Sequence, residues 1–231
     1  MKNEYLILNG DCPAALATPS DTEQELAILF LDIRNFTGLM ESQPGQTVIQ
    51  VVRRLFTAFN QVIKSFQGKV VEIAGDNLYA VFGLQTNLQE AVNNAYQAAK
   101  VMFQTVSLFN DAYAVPYHGG PLEIGVGLHA GTVFVGEFVL DERSQLSVMG
   151  LPVNIASRLQ AKTKELNNDL LISEDAYRLL ESDGTVLDQQ TVNLQGISQG
   201  QQIRLAGKPY SNNHYLASSQ PGFDYLLAIS G

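Results

Sequence analysis

Two aspartates stand where apolar sequence runs out. Ala27-Ile28-Leu29-Phe30-Leu31 leads onto Asp32-Ile33, and Val70-Val71-Glu72-Ile73-Ala74 leads onto Gly75-Asp76 before apolar residues resume at Leu78. The second stretch reads as two buried strands joined by a tight turn, with one carboxylate at the tip. Both strands read as too apolar to be half exposed. A carboxylate fixed between buried strands costs desolvation energy unless a cation pairs with it. Asp32 and Asp76 on adjacent strand ends therefore predict a divalent-metal site. Magnesium favours oxygen ligands and borrows phosphate oxygens from a substrate. A pair of such ions activates an attacking oxygen and stabilises a leaving one. Phe36-Thr37-Gly38, just beyond Asp32, offers main-chain N–H groups at a helix start, which suits phosphate.

These groups need a scaffold, and the chain alternates strand and helix patterns around them. A strand over 26–33 turns at Asn35-Phe36-Thr37-Gly38 into a helix. Val48, Val51, Val52, Leu55, Phe56, Phe59, Val62, Ile63 and Phe66 form its apolar stripe, and Gln67-Gly68 ends it with a glycine stop. The hairpin at Asp76 follows. A second helix is marked by Ala91, Ala95, Ala98, Ala99, Met102, Phe103 and Val106. Residues 116–121 read as a loop and 122–131 as a strand whose alternating glycines mark close approach of another backbone or a ligand. A separate strand is expected over 132–139, a turn at Asp141-Glu142-Arg143-Ser144 and a short strand at 147–149. Pro152 then opens a helix with Val153, Ala156 and Leu159 inward and Lys162 and Lys164 on a solvated face. A short strand at 170–172, a helix capped by Ser173, and late strands near 191–194 and 202–205 complete the pattern. The expected fold class is α+β, a ferredoxin-like βαββαβ sheet with helices on one face and added late strands. Further elements or a partner could cover the other face.

Composition sets the outer limits. The chain has 231 residues, 45% hydrophobic and 16% charged, enough for a sizeable core. A formal charge of −9 disfavours nucleic acid and anionic membrane as partners. The lone cysteine, Cys12, rules out an intrachain disulfide and a cysteine-based zinc site within one chain. No apolar run approaches the roughly 20 residues that span a bilayer. The run at 5–8 is too brief for a signal peptide, so a cytoplasmic protein is expected.

Four motifs, taken together, resemble class III nucleotidyl cyclases. Phe30-Leu31-Asp32-Ile33-Arg34-Asn35-Phe36-Thr37 resembles the first metal motif, and Gly75-Asp76 with Ala80-Val81-Phe82-Gly83 the second metal hairpin. Val126-Gly127-Leu128-His129-Ala130-Gly131 resembles the strand before the dimerisation arm. Val153-Asn154-Ile155-Ala156-Ser157-Arg158-Leu159 resembles the Asn-x-x-x-Arg helix. The resemblance implies a 26–207 cyclase domain between a 1–25 extension and a 208–231 tail. It further implies cyclisation of a nucleoside triphosphate to a 3′,5′-cyclic monophosphate, with release of pyrophosphate, in a homodimer whose sites lie between subunits. Asp32, Asp76 and the Ile33 carbonyl would hold two Mg²⁺ or Mn²⁺ ions. Asn154 and Arg158 of the other subunit would orient the ribose and stabilise the α-phosphoryl charge.

The resemblance also places Glu72 and Ser147 at the base. A carboxylate suits guanine's N1–H and 2-amino donors, whereas adenine offers an acceptor at N1, so the pair leans toward GTP, with ATP as the alternative. Ser147 discriminates neither way. Two departures stand out. Leu194-Gln195-Gly196 carries a neutral residue where the family has a phosphate-binding Lys, which removes a charge-assisted contact and leaves Arg204 or Lys208 as stand-ins. Gly150-Leu151-Pro152-Val153 replaces Gly-Asp-Thr-Val. A weak or inactive nucleotide-binding module is the second reading. His129, on an apolar strand, reads as a structural histidine.

Overall fold

The structure, a computed structural model, describes residues 22–114, 121–140, 143–181 and 187–211. The lead-in strand at 5–8, Cys12, residues 116–120 of the expected loop, Asp141-Glu142 and the apolar patch at 225–229 lie outside these.

One eight-stranded sheet organises the chain. Strands β1 (Thr22–Ile33), β2 (Gly68–Ala74), β3 (Asn77–Phe82) and β4 (Ile124–Leu140) form its first half. Beyond them come β5 (Arg143–Met149), β6 (Leu170–Ser173), β7 (Asp188–Val192) and β8 (Gln201–Leu205). The spatial order is β2-β3-β1-β4-β6-β8-β7, with β5 paired to the far half of β4. The first four strands, all antiparallel, realise the expected βαββαβ arrangement. The late strands extend the sheet through a parallel β4–β6 ladder.

Alternation along β1 divides the core. Ala27, Leu29, Leu31 and Ile33 face α2 (Gly45–Ser65) and α3 (Leu88–Phe109), which carry the predicted stripes. Leu26, Ile28 and Phe30 face the opposite way, toward α4 (Leu151–Glu165). The two main-face helices are as expected, and α4 is the further element that covers the other face. Each fully buried Leu or Phe in these layers contributes about 2 kcal/mol.

Several expectations change in detail. β1 starts at Thr22, ahead of the strand expected from 26, and Tyr210 is buried. β4 is one continuous 17-residue strand, not two, because Thr22 to Glu25 extend the β1 ladder across Val135 to Thr132. β2 is an edge strand of mostly intermediate exposure, so only β3 of the Asp76 hairpin is fully packed. The left-handed residue after α2 is Gln67 (φ 59°). Gly68 is needed for space, since a Cβ there would lie 2.4 Å from the Phe82 ring.

Candidate active site

The β1 and β3 ends place the two aspartates side by side. Asp32 pairs across the ladder with Asn77, the neighbour of Asp76. The Ile33 N–H donates to the Asp76 carbonyl at 3.2 Å. Gly75 (φ 62°) takes the first turn position, where glycine adopts positive φ at no steric cost. Burial pushes the Asp76 carboxyl upward, against a lowering by its own main-chain hydrogen bond, Lys164 and Arg34. A carboxyl in that position gains from any added cation. Among the described residues no three of His, Cys, Asp or Glu cluster. Main-chain and ligand-borne oxygens are thus left to complete a coordination shell. Two carboxylates supplying hard oxygens fit Mg²⁺ or Mn²⁺.

Sequence reasoning passed over Arg34. Its side chain is almost wholly buried and forms an ion pair with Asp32. Its Cζ lies 5.8 Å from the centre of the Tyr210 ring, and its N–H donates to the Glu123 carbonyl at 2.7 Å. Gly125, opposite Asp32 on β4, makes this possible: a Cβ there would sit 2.9 Å from Arg34 Cζ and 2.7 Å from Thr163 Oγ1. The available signal was the Asp-x-Arg spacing, which in a strand puts both side chains on one face. Lys164 is exposed, as the solvated face predicted, yet it also lies within the field of the acidic pair. Desolvation and Arg34 lower its ammonium while Asp76 raises it.

Asn154 and Arg158 ride on α4, one turn apart. The helix runs antiparallel to β4. Gly131 meets Pro152, Gly127 meets the backbone at Ala156 and Gln160, and Gly125 meets Thr163. The close approach predicted from the β4 glycines is thus real: a Cβ on Gly127 would lie 2.3 Å from the Gln160 nitrogen. Thr163 stands level with Asp32, which leaves Asn154 nine residues back, about 14 Å along the helix axis. Asn154 is exposed and Arg158 half-buried. Within one chain this spacing sets Asn154 well away from the aspartates.

At the sheet edge, Glu72 lies opposite Tyr79, after a register shift between Val70 and Glu72. Tyr79 stacks on Phe30 at 4.5 Å, and its hydroxyl donates to the Val148 carbonyl at 3.3 Å. Burial, then the Glu72 charge, raises the phenol. Leu146 and Val148 pack into this cluster, so Ser147 between them turns to the other side of β5. Phe36, Thr37 and Gly38 form the first turn of α1 (Phe36–Ser42), entered through left-handed Asn35 (φ 56°).

Of the two stand-ins for the missing Lys, Arg204 is engaged elsewhere. Arg204 is committed to Glu174, with Nε–Oε2 at 2.7 Å and Nη2–Oε1 at 3.2 Å, and lies over the Tyr177 ring. The main-chain N–H of Lys208 donates to Asp169 Oδ1 at 2.7 Å. Gln195 is exposed. His129 is the structural histidine expected: buried, with Nδ1 2.7 Å from Ser173 Oγ, whose oxygen caps the next helix, α5 (Glu174–Tyr177).

Comparison with known proteins agrees with this architecture. Residues 18–210 match the profile described as "Adenylate and Guanylate cyclase catalytic domain". The chain belongs to that family, the class III nucleotidyl cyclases. It is 28% identical over 151 residues to Adenylate cyclase 1 of Rhizobium meliloti, covering 65% of this chain and 22% of that protein. It is 29% identical over 160 residues to the adenylate cyclase of Anabaena cylindrica, covering 68% and 31%. The chain thus matches less than a third of the length of these relatives. Among solved structures, the guanylyl cyclase Cya2 aligns at TM-score 0.73 and 25% identity, over 84% of this chain and 98% of that one. The adenylyl cyclase CyaB from P. aeruginosa shares the fold at TM-score 0.71 and 23% identity, over 79% and 93%. No helix of the described residues is long and apolar enough to cross a membrane.

Proposed function

We propose that this chain is a nucleotidyl cyclase that acts on GTP in preference to ATP, as a cytoplasmic homodimer with sites shared between copies. The observation that carries this reading is the division of the motif residues. Asp32 and Asp76 stand on neighbouring strand ends, while Asn154 lies about 14 Å back along α4. A second copy is the simplest source of the missing half. Phe134, Met149 and Leu151 are 47%, 54% and 58% exposed beside the start of α4, apolar surface that suits such a contact.

Asp32 and Asp76, with the Ile33 carbonyl, hold the cations. Two Mg²⁺ or Mn²⁺ ions, when bound, lower the pKa of the ribose 3′-hydroxyl and neutralise the departing phosphates. Main-chain N–H groups at Phe36, Thr37 and Gly38 receive the phosphates. Glu72 accepts from the donor edge of guanine, with Ser147 on the facing arm. Asn154 and Arg158 of the second copy orient the ribose and offset charge on the α-phosphoryl group. The 3′-oxygen bonds to the α-phosphorus as the bond to pyrophosphate breaks.

The test is a product assay with all four ribonucleoside triphosphates and Mn²⁺. Cyclic GMP and pyrophosphate are expected, and Asp76→Ala should abolish both. A strong preference for ATP would refute the reading of Glu72. Gln195, together with the commitment of Arg204, favours a second reading: a nucleotide-binding dimer with little turnover. Tight triphosphate binding without cyclic product would establish it.

A further inference from the structure

The acidic pair does not face the interior alone, because a fixed cation is built in behind it. Arg34 is held on every side the structure describes. Its main chain is tied to Glu123, and its guanidinium is paired with Asp32, faces the Tyr210 ring and fills the space left by Gly125. Tyr210 is itself anchored, its N–H donating to Asn167 Oδ1 at 3.2 Å. Any Cβ at position 125 would collide with the guanidinium and with Thr163, so Arg34 has a dedicated berth, not a chance contact.

We propose that Arg34 is a positioning residue that couples cation binding to nucleotide binding. With the site bare, its charge balances Asp32 and holds that carboxylate in place. A divalent ion arriving alone takes up the same carboxylate and is repelled by a guanidinium that has nowhere to retreat. A triphosphate arriving with the ion supplies the negative charge that turns this repulsion into attraction. Each ligand then raises the affinity for the other by the same factor. This inference rests on the proposal that Asp32 and Asp76 bind divalent cations.

The experiment measures Mn²⁺ binding by electron paramagnetic resonance, with and without 3′-deoxy-GTP or 3′-deoxy-ATP, which lack the attacking hydroxyl. Arg34→Met should bind Mn²⁺ alone about tenfold more tightly, as loss of one unit charge at close range implies. It should also lose most of the enhancement that the nucleotide gives, and Arg34→Lys should restore both. If Arg34→Met does not fold, the ¹⁵Nε signal of Arg34 in the wild-type chain decides. It should move as Mg²⁺ saturates the site, and Asp76→Asn should remove that response. Mn²⁺ binding that Asp76→Asn abolishes but Arg34→Met leaves unchanged overturns this inference alone, as does a stationary Arg34 signal. Absence of Mn²⁺ binding to the wild-type chain, or binding indifferent to Asp76→Asn, overturns the metal-site proposal and this inference with it.

Discussion

His129, which is buried, and Asp169, which is half-buried, are titratable groups whose effects on folding oppose each other. Burial lowers the imidazole to about 4, so the unfolded chain takes up a proton near pH 6.5 that the folded chain refuses. Stability from this group is complete above pH 6.5 and is lost as pH falls toward 4, by up to about 3 kcal/mol. Burial raises Asp169 to about 6, so the folded chain keeps a proton there that the unfolded chain releases near 4. That group adds stability as pH falls from 6 to 4. The wild-type curve should therefore be shallow across this window. Asp169→Asn keeps an oxygen to accept the Lys208 N–H and removes the half-buried charge. It should be more stable than wild type at pH 8 and lose stability steeply in acid. Urea midpoints measured from pH 4 to 8 check this, and parallel curves for the two chains would exclude it.

At the scale of elements, the contact of α4 with β4 depends on absent side chains. Gly127→Ala would drive a Cβ into the α4 backbone, which cannot yield as a flexible side chain does. The expected loss is about 2 kcal/mol or more, with activity falling further because α4 carries Asn154 and Arg158. Gly75→Ala meets nothing within 4 Å and suffers only its positive φ, a cost of about 1 kcal/mol. Thermal melts of the two variants should rank them in that order, and the reverse order would contradict this packing. The same elements show what could be foreseen. Asp32 and Asp76 were legible because an apolar run ended at each, and α2 because its stripe repeats every turn. The continuity of β4 was not, since it depends on Thr22 to Glu25, a segment about a hundred residues away in sequence. Arg34 escaped notice for the same reason: its berth is made by Gly125 and Tyr210, from distant parts of the chain.

For the whole molecule, a site split between copies has a direct consequence in mixtures. Asp76→Ala and Asn154→Ala chains should each be inactive, because every dimer of one kind lacks the same half twice. Mixed in equal amounts, half the dimers pair the two kinds, and each of these holds one intact site. Activity should return to about a quarter of wild type per chain, as random pairing in a two-fold dimer requires. A mixture as silent as its components would show that both groups act within one chain.

Glu72 occupies the outermost strand, beside a slip in register, with a single ladder neighbour and no part in either main packing layer. Exchanging it leaves the interior nearly untouched. On the proposed reading of Glu72, preference between purines could drift in this scaffold without the chain having to relearn how to fold, and a few substitutions at the rim would suffice to re-address the product.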